Sequence, residues 1–123
     1  MIQRHKKQLT DKPTRYYSNL QESAVAKALK GSKTIASGST PFYKGDVTVD
    51  DLLLIECKTK TSQSASISIK KQWLIKNDIE ALTMGKKYSA LAFNFGPDEC
   101  NYYIIDEQLF IQLIEYIKEI RES

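Results

Sequence analysis

The order of apolar patterns along the chain predicts an α/β domain of order αβββαββα, a mixed β-sheet with helices on both of its faces. Three observations carry that expectation. Stretches with helical apolar spacing around 18–31 and 67–84 bracket a series of short β-prone segments. The aliphatic run Leu52-Leu53-Leu54-Ile55 is too short for a helix and follows a turn signal at Asp50-Asp51. A third helical pattern closes the chain after two further strand-like segments.

Each element has a local reason. Residues 1–17 read as a flexible basic arm, with Arg4, Lys6, Lys7, Lys12 and Arg15, no apolar periodicity, and Pro13 as a breaker. His5, the only histidine, falls in this arm and suits a solvated or phosphate-facing place. The first helix is expected from Ser18, with Gln21 completing a capping box, to Gly31. Its inner stripe is read as Leu20, Ala24, Val25, Ala28 and Leu29, bordered by Glu22. Strands are expected at about 33–37, 46–50 and 52–60, the last two joined by a tight turn, and a polar loop at 59–66 able to move over a bound strand. The second helix is expected over 67–84, closed by Gly85, with Gln72, Ile75, Ile79 and Leu82 on its inner face. Strands at 88–95 and 102–105 flank a Gly96-Pro97-Asp98-Glu99 turn. Asp106 then caps a last helix with apolar residues at Leu109, Phe110, Leu113, Ile114, Ile117 and Ile120. That stripe is either consumed by the core or leaves an edge for a partner.

A chain of 123 residues makes one domain, here 18–123, large enough to bury about two-thirds of its unfolded surface without disulfides or a structural metal. The longest wholly aliphatic run is four residues and the N-terminus is polar, so neither a membrane span nor a secretory signal is expected, and a cytoplasmic location follows. Cys57 and Cys100 have no metal-ligand spacing and read as buried, unpaired thiols. The net charge of +3 is unevenly spread: residues 1–87 carry 16 of the 18 bases but 8 of the 15 acids. A basic segment followed by an acidic one points to a working face aimed at a polyanion.

The chemistry concentrates on Asp46 and, ten residues on, Glu56-Cys57-Lys58. Alternation puts Leu52, Leu54, Glu56 and Lys58 on one strand face and Leu53, Ile55, Cys57 and Thr59 on the other. One face thus changes from apolar to charged, as a strand does when it runs from a core into a cleft. A lone Glu-x-Lys would be a surface ion pair at a strand end. The buried run and the upstream Gly45-Asp46 argue for a site. Gln72 either bonds a neighbouring backbone group or positions water or phosphate.

Asp46, the apolar run and Glu56-x-Lys58 resemble the PD-(D/E)XK nuclease superfamily. The Ala36-Ser37-Gly38-Ser39 loop ahead of Gly45-Asp46, after a helix bearing Glu22, is similar specifically to archaeal-type Holliday junction resolvases, which also occur in viruses. The likeness covers roughly residues 22–82; Gly45 stands where the superfamily name expects Pro, and the first seventeen residues have no counterpart. It implies a restriction-endonuclease-like core and a Mg²⁺-dependent, structure-selective DNA endonuclease, with Mn²⁺ as a substitute ion. It further implies a homodimer that acts on four-way junctions in the cytoplasm, the host's if a virus encodes it. By the resemblance Glu22, Asp46, Glu56 and the Cys57 carbonyl hold the metal, and Lys58 orients water or stabilises developing charge. Ser37 bonds a phosphate oxygen, or as a turn serine satisfies the backbone. Two other readings stand beside it: a general nuclease on duplex or flap DNA, and a DNA-binding module without catalysis.

Overall fold

The structure, a computed structural model, describes residues 13–34 and 46–123. In chain order it contains α1 (Thr14–Leu29), β1 (Ser32–Lys33), β2 (Asp46–Val49), β3 (Leu53–Lys58), α2 (Lys71–Thr83), β4 (Tyr88–Phe93), β5 (Tyr102–Ile104) and α3 (Glu107–Glu122). The strands form one mixed sheet in the order β1-β2-β3-β4-β5; β3 and β4 are parallel and all other neighbours antiparallel. The expected mixed sheet flanked by helices is therefore present.

The β2–β3 hairpin turns where expected. Asp50 takes a left-handed conformation (φ 49°), which aspartate tolerates, and the Leu52 N–H donates to the Val49 carbonyl at 2.9 Å. The turn sets the register, so Val47 lies opposite Ile55, which lies beside Ala90. This row forms one face of the sheet, and Val25 of α1 packs onto it; Val25, Val47, Ile55 and Ala92 are fully buried. Leu54 and Leu91 point the opposite way and are also fully buried. α2 covers that second face, where Asp78 accepts a hydrogen bond from Ser89 and Trp73 lies over Lys58.

Both inner helices differ from expectation. α1 begins at Thr14, after Pro13, with no side-chain cap, so 14–17 are helical and the Ser18–Gln21 capping box does not form. Its buried residues are Gln21, Glu22 and Val25, while Leu20, Ala24 and Ala28 are exposed. The reason lies beneath the helix: Gln21 Nε2 donates to the backbone carbonyls of Lys58 (2.8 Å) and Ala92 (3.3 Å) at the ends of β3 and β4. Buried carbonyls need donors, and an amide supplies what leucine cannot. α1 closes at Lys30, which takes the left-handed conformation instead of Gly31. Gly31 is needed for space, because a Cβ there would sit 2.4 Å from the Thr48 carbonyl oxygen.

α2 starts at Lys71 and turns a different face inward: Trp73, Leu74, Asn77 and Ala81 approach the sheet, whereas Gln72, Ile75, Ile79 and Leu82 are exposed. Small Ala81 admits the helix close to the strands, and Asn77 Nδ2 donates to the Ala90 carbonyl at 2.9 Å and to the Leu54 carbonyl at 3.4 Å. Polar satisfaction again outweighs apolar periodicity. α3 is capped by Asp106, whose carboxylate accepts from the Leu109 N–H at 2.8 Å, as expected. No α3 residue is buried, so its apolar stripe is not consumed by the core. A groove of about 440 Å³ runs between Leu109, Leu113 and Tyr116 of α3 and Leu53, Ile55 and Tyr103 of the sheet.

The 59–66 loop is held against the β4–β5 turn. The Ser64 N–H donates to the Phe95 carbonyl at 2.8 Å, and Gly96, at φ 146°, leaves room for the Gln63 backbone, which a Cβ would meet at 2.8 Å. Both cysteines are free, but Cys57 is half-buried and Cys100 exposed, against the expectation of two buried thiols. Among the described residues no helix is long and apolar enough to cross a membrane.

Candidate active site

The two hairpin strands bring the sequence-predicted acids together. Asp46, the first residue of β2, is the direct cross-strand partner of Glu56 on β3, so both carboxylates rise from the face that α2 covers. Two residues on, Lys58 shares that face, and its Nζ lies 3.0 Å from Glu56 Oε2. The Asp46 backbone is clamped by Thr34: its carbonyl accepts from the Thr34 N–H (2.8 Å) and Oγ1 (3.1 Å), and its N–H donates to Oγ1 at 3.1 Å. Asp46 is 3 % exposed, and among the described residues its buried Oδ1 has no hydrogen-bond partner.

Electrostatics follow from that placement. Burial, then the neighbouring charges of Glu56, Glu80 and Glu22, push the Asp46 carboxyl up to about 8, against a smaller opposing pull from Lys58. Burial likewise raises Glu22, which Lys33 and Arg15 partly offset. The Cys57 thiol is pushed up by burial and then by Glu22, Asp46 and Glu56, so it stays protonated and is a poor nucleophile.

Glu22 comes from α1. That helix packs on the face that carries Val47, Ile55 and Cys57; Glu22 is buried beneath it, and its charge acts on both the Asp46 carboxyl and the Cys57 thiol. Among the described residues no three of His, Cys, Asp and Glu approach closely enough to form a ready metal-binding group. The site is a facing pair of acids with a lysine, not the expected carboxylate triad in one cluster. Cys57 places its thiol toward the reverse face, leaving only its carbonyl for the role implied by the resemblance. Gln72 is exposed in the first turn of α2 and is not on the buried stripe expected for it. Ser37 and its Ser-Gly-Ser loop, Gly45, His5 and arm residues 1–12 lie outside the described residues.

Four residues that sequence reasoning passed over shape the site. Trp73 of α2 places its ring centroid 4.2 Å from Lys58 Nζ and 5.9 Å from Lys70 Nζ. Glu80, one helical turn beyond Asn77, has a side chain only 14 % exposed and lies 3.8 Å from Lys76, and its charge acts on Asp46 more strongly than that of Glu22. Thr34 holds the Asp46 backbone, and Gln21 holds the Lys58 carbonyl. The only available signal was spacing: Trp73, Asn77 and Glu80 recur at helical intervals of four and three, a stripe hidden because two of its members are polar. The chain matches no protein-family model, no curated protein and no solved structure.

Proposed function

We propose that this chain is a Mg²⁺-dependent, structure-selective endodeoxyribonuclease of the PD-(D/E)XK kind that resolves four-way DNA junctions. The observation that carries the reading is the buried Asp46 facing Glu56 across a hairpin, with Lys58 on the same face. In a mixed sheet with two acids on adjacent strands and a lysine two residues on, these are the parts that a restriction-endonuclease-like core would use.

The residues fit a hard divalent cation. Asp46 Oδ1 is an orphaned buried acceptor, and two facing carboxylates offer the all-oxygen donors that suit Mg²⁺ or Mn²⁺. Asp46, Glu56 and the Cys57 carbonyl would hold the ion, and Glu22, whose charge reaches Asp46, would add to the negative field around it. Bound there, Mg²⁺ supplies a polarised phosphate and a water of lowered pKa. Asp46 and Glu56 must both be deprotonated for this, and at neutral pH Asp46 gives up its proton on loading. Lys58 is a cation at the mouth of the site, about a third exposed, able to meet a phosphate oxygen and stabilise charge developing on it. Glu56 keeps that ammonium beside the acids. The basic residues of the first 87 positions supply phosphate contacts along the DNA.

Paired cuts on a two-fold junction call for two such sites, so the working unit is a homodimer. The exposed stripe Ile75, Ile79 and Leu82 on α2 is the favoured contact, because α2 lies on the site's own face of the sheet whereas α3 lies behind it. The test is incubation of a labelled four-way junction and a matched linear duplex with and without Mg²⁺. Paired, Mg²⁺-dependent cuts in the junction that Asp46→Asn abolishes are the expected result. Equal nicking of the duplex would favour a general nuclease. Binding without cleavage in any divalent ion would leave a DNA-binding module.

A further inference from the structure

Lys58 has two partners of different kinds. Glu56 holds its ammonium by charge at 3.0 Å, and the indole of Trp73 faces it at 4.2 Å from the ring centroid. The distance is well inside the roughly 6 Å range of a cation–π contact, and tryptophan is the strongest aromatic partner for one. The ring is itself fixed: Trp73 sits in the first turn of α2, four residues before Asn77, which is 2 % exposed and bonded to the β3 and β4 backbones. Helix, strand and ring therefore form one rigid frame around the lysine.

The two partners respond differently to a cation at Asp46 and Glu56. Glu56 would share its carboxylate with a divalent ion held there, and its hold on the Lys58 ammonium would weaken accordingly. The indole carries no net charge for the ion to claim. We infer that Trp73 is a positioning residue that keeps the Lys58 ammonium over the site when Glu56 is given to the metal. The inference rests on the nuclease reading for its kinetic consequence, but its structural part stands apart from it.

Two measurements test it. Ring current from Trp73 should shift the Lys58 side-chain proton resonances upfield, and the shift should vanish in Trp73→Leu and persist when Mg²⁺ is added to the wild-type protein. Random-coil Lys58 resonances in wild type, or loss of the shift on adding Mg²⁺, would overturn the proposal. In junction cleavage at saturating Mg²⁺, Trp73→Leu should lower kcat about tenfold, the value of one partly desolvated cation–π contact, with junction affinity and Mg²⁺ affinity within about twofold of wild type. Trp73→Phe, which keeps an aromatic face, should recover most of that loss. Equal rates for Trp73→Leu and wild type, or a drop in Trp73→Leu that Trp73→Phe shares in full, would overturn it. Absence of any cleavage by wild type would instead sink the nuclease reading, and the resonance measurement alone would then decide the placement of Lys58.

Discussion

Asp46 and Glu56 are direct cross-strand neighbours, with their carboxylates on one face of the sheet and Lys58 paired to Glu56 at 3.0 Å. Two acids on one buried face cannot both ionise cheaply. The more deeply buried one, Asp46, takes the strain; its proton ties stability to pH and, on the proposed function, to metal loading.

Stability of the metal-free protein should fall as pH rises. Below about pH 4 Asp46 is protonated both folded and unfolded. Between there and about 8 the unfolded chain releases the proton while the folded one retains it, so stability is lost through this window and levels off above it. Asp46→Asn removes the effect. Thermal melts in chelator should show the variant about 5 °C or more above wild type at pH 8.5, with the gap closing at pH 5. The same variant should be inactive in cleavage.

Mg²⁺ binding should compete with that proton. Calorimetric titration in buffers of different ionisation enthalpy should show close to one proton released per ion at pH 6.5, declining toward zero above pH 9. Mg²⁺ should therefore raise the melting temperature more at pH 8.5 than at pH 6.

Removing Lys58 separates chemistry from metal loading. Lys58→Ala should lower cleavage by roughly 10²–10³-fold, the scale of losing one charge-stabilising donor, while Mg²⁺ affinity stays equal or rises because a competing cation is gone. Glu56→Gln should lose both. Weakened Mg²⁺ binding in Lys58→Ala would reverse the division of roles.

Gln21 should matter more to the fold than a helix glutamine ordinarily does. Gln21→Leu leaves the Lys58 and Ala92 carbonyls without their side-chain donor, and urea unfolding should register a loss of about 1–3 kcal/mol. Leu20→Gln, at a half-exposed neighbour, should cost less than about 0.5 kcal/mol.

The proposed homodimer can be tested and located by charge insertion. Ile79 is 60 % exposed, so Ile79→Glu should leave the unfolding midpoint nearly unchanged while halving the sedimenting mass at micromolar protein. Ile117→Glu on α3, also half exposed, should leave the dimer intact. Dissociation by the second variant and not the first would move the interface to the other side of the sheet.

By itself the sequence determined the order of elements, the β2–β3 hairpin and the alternation that sets Asp46, Glu56 and Lys58 on one face, because these depend on period-two geometry and a short, tight turn. It also determined the Asp106 cap and the break at Gly96-Pro97, which are local. Only the tertiary structure decided which sides of α1 and α2 turn inward. Apolar spacing pointed to Leu20 and Ile79, but the strands beneath those helices present carbonyls, and Gln21 and Asn77 donate to them. The rotation of α2 in turn brings Trp73 onto Lys58 and Glu80 within range of Asp46, contacts 15 and 34 residues apart in the chain. Glu22 was legible as an acid bordering the inner stripe of α1, and the packing of that helix on the sheet buries it. A helix pattern fixes which residues share a side, and only packing against a particular strand layer settles which side of that layer the helix takes.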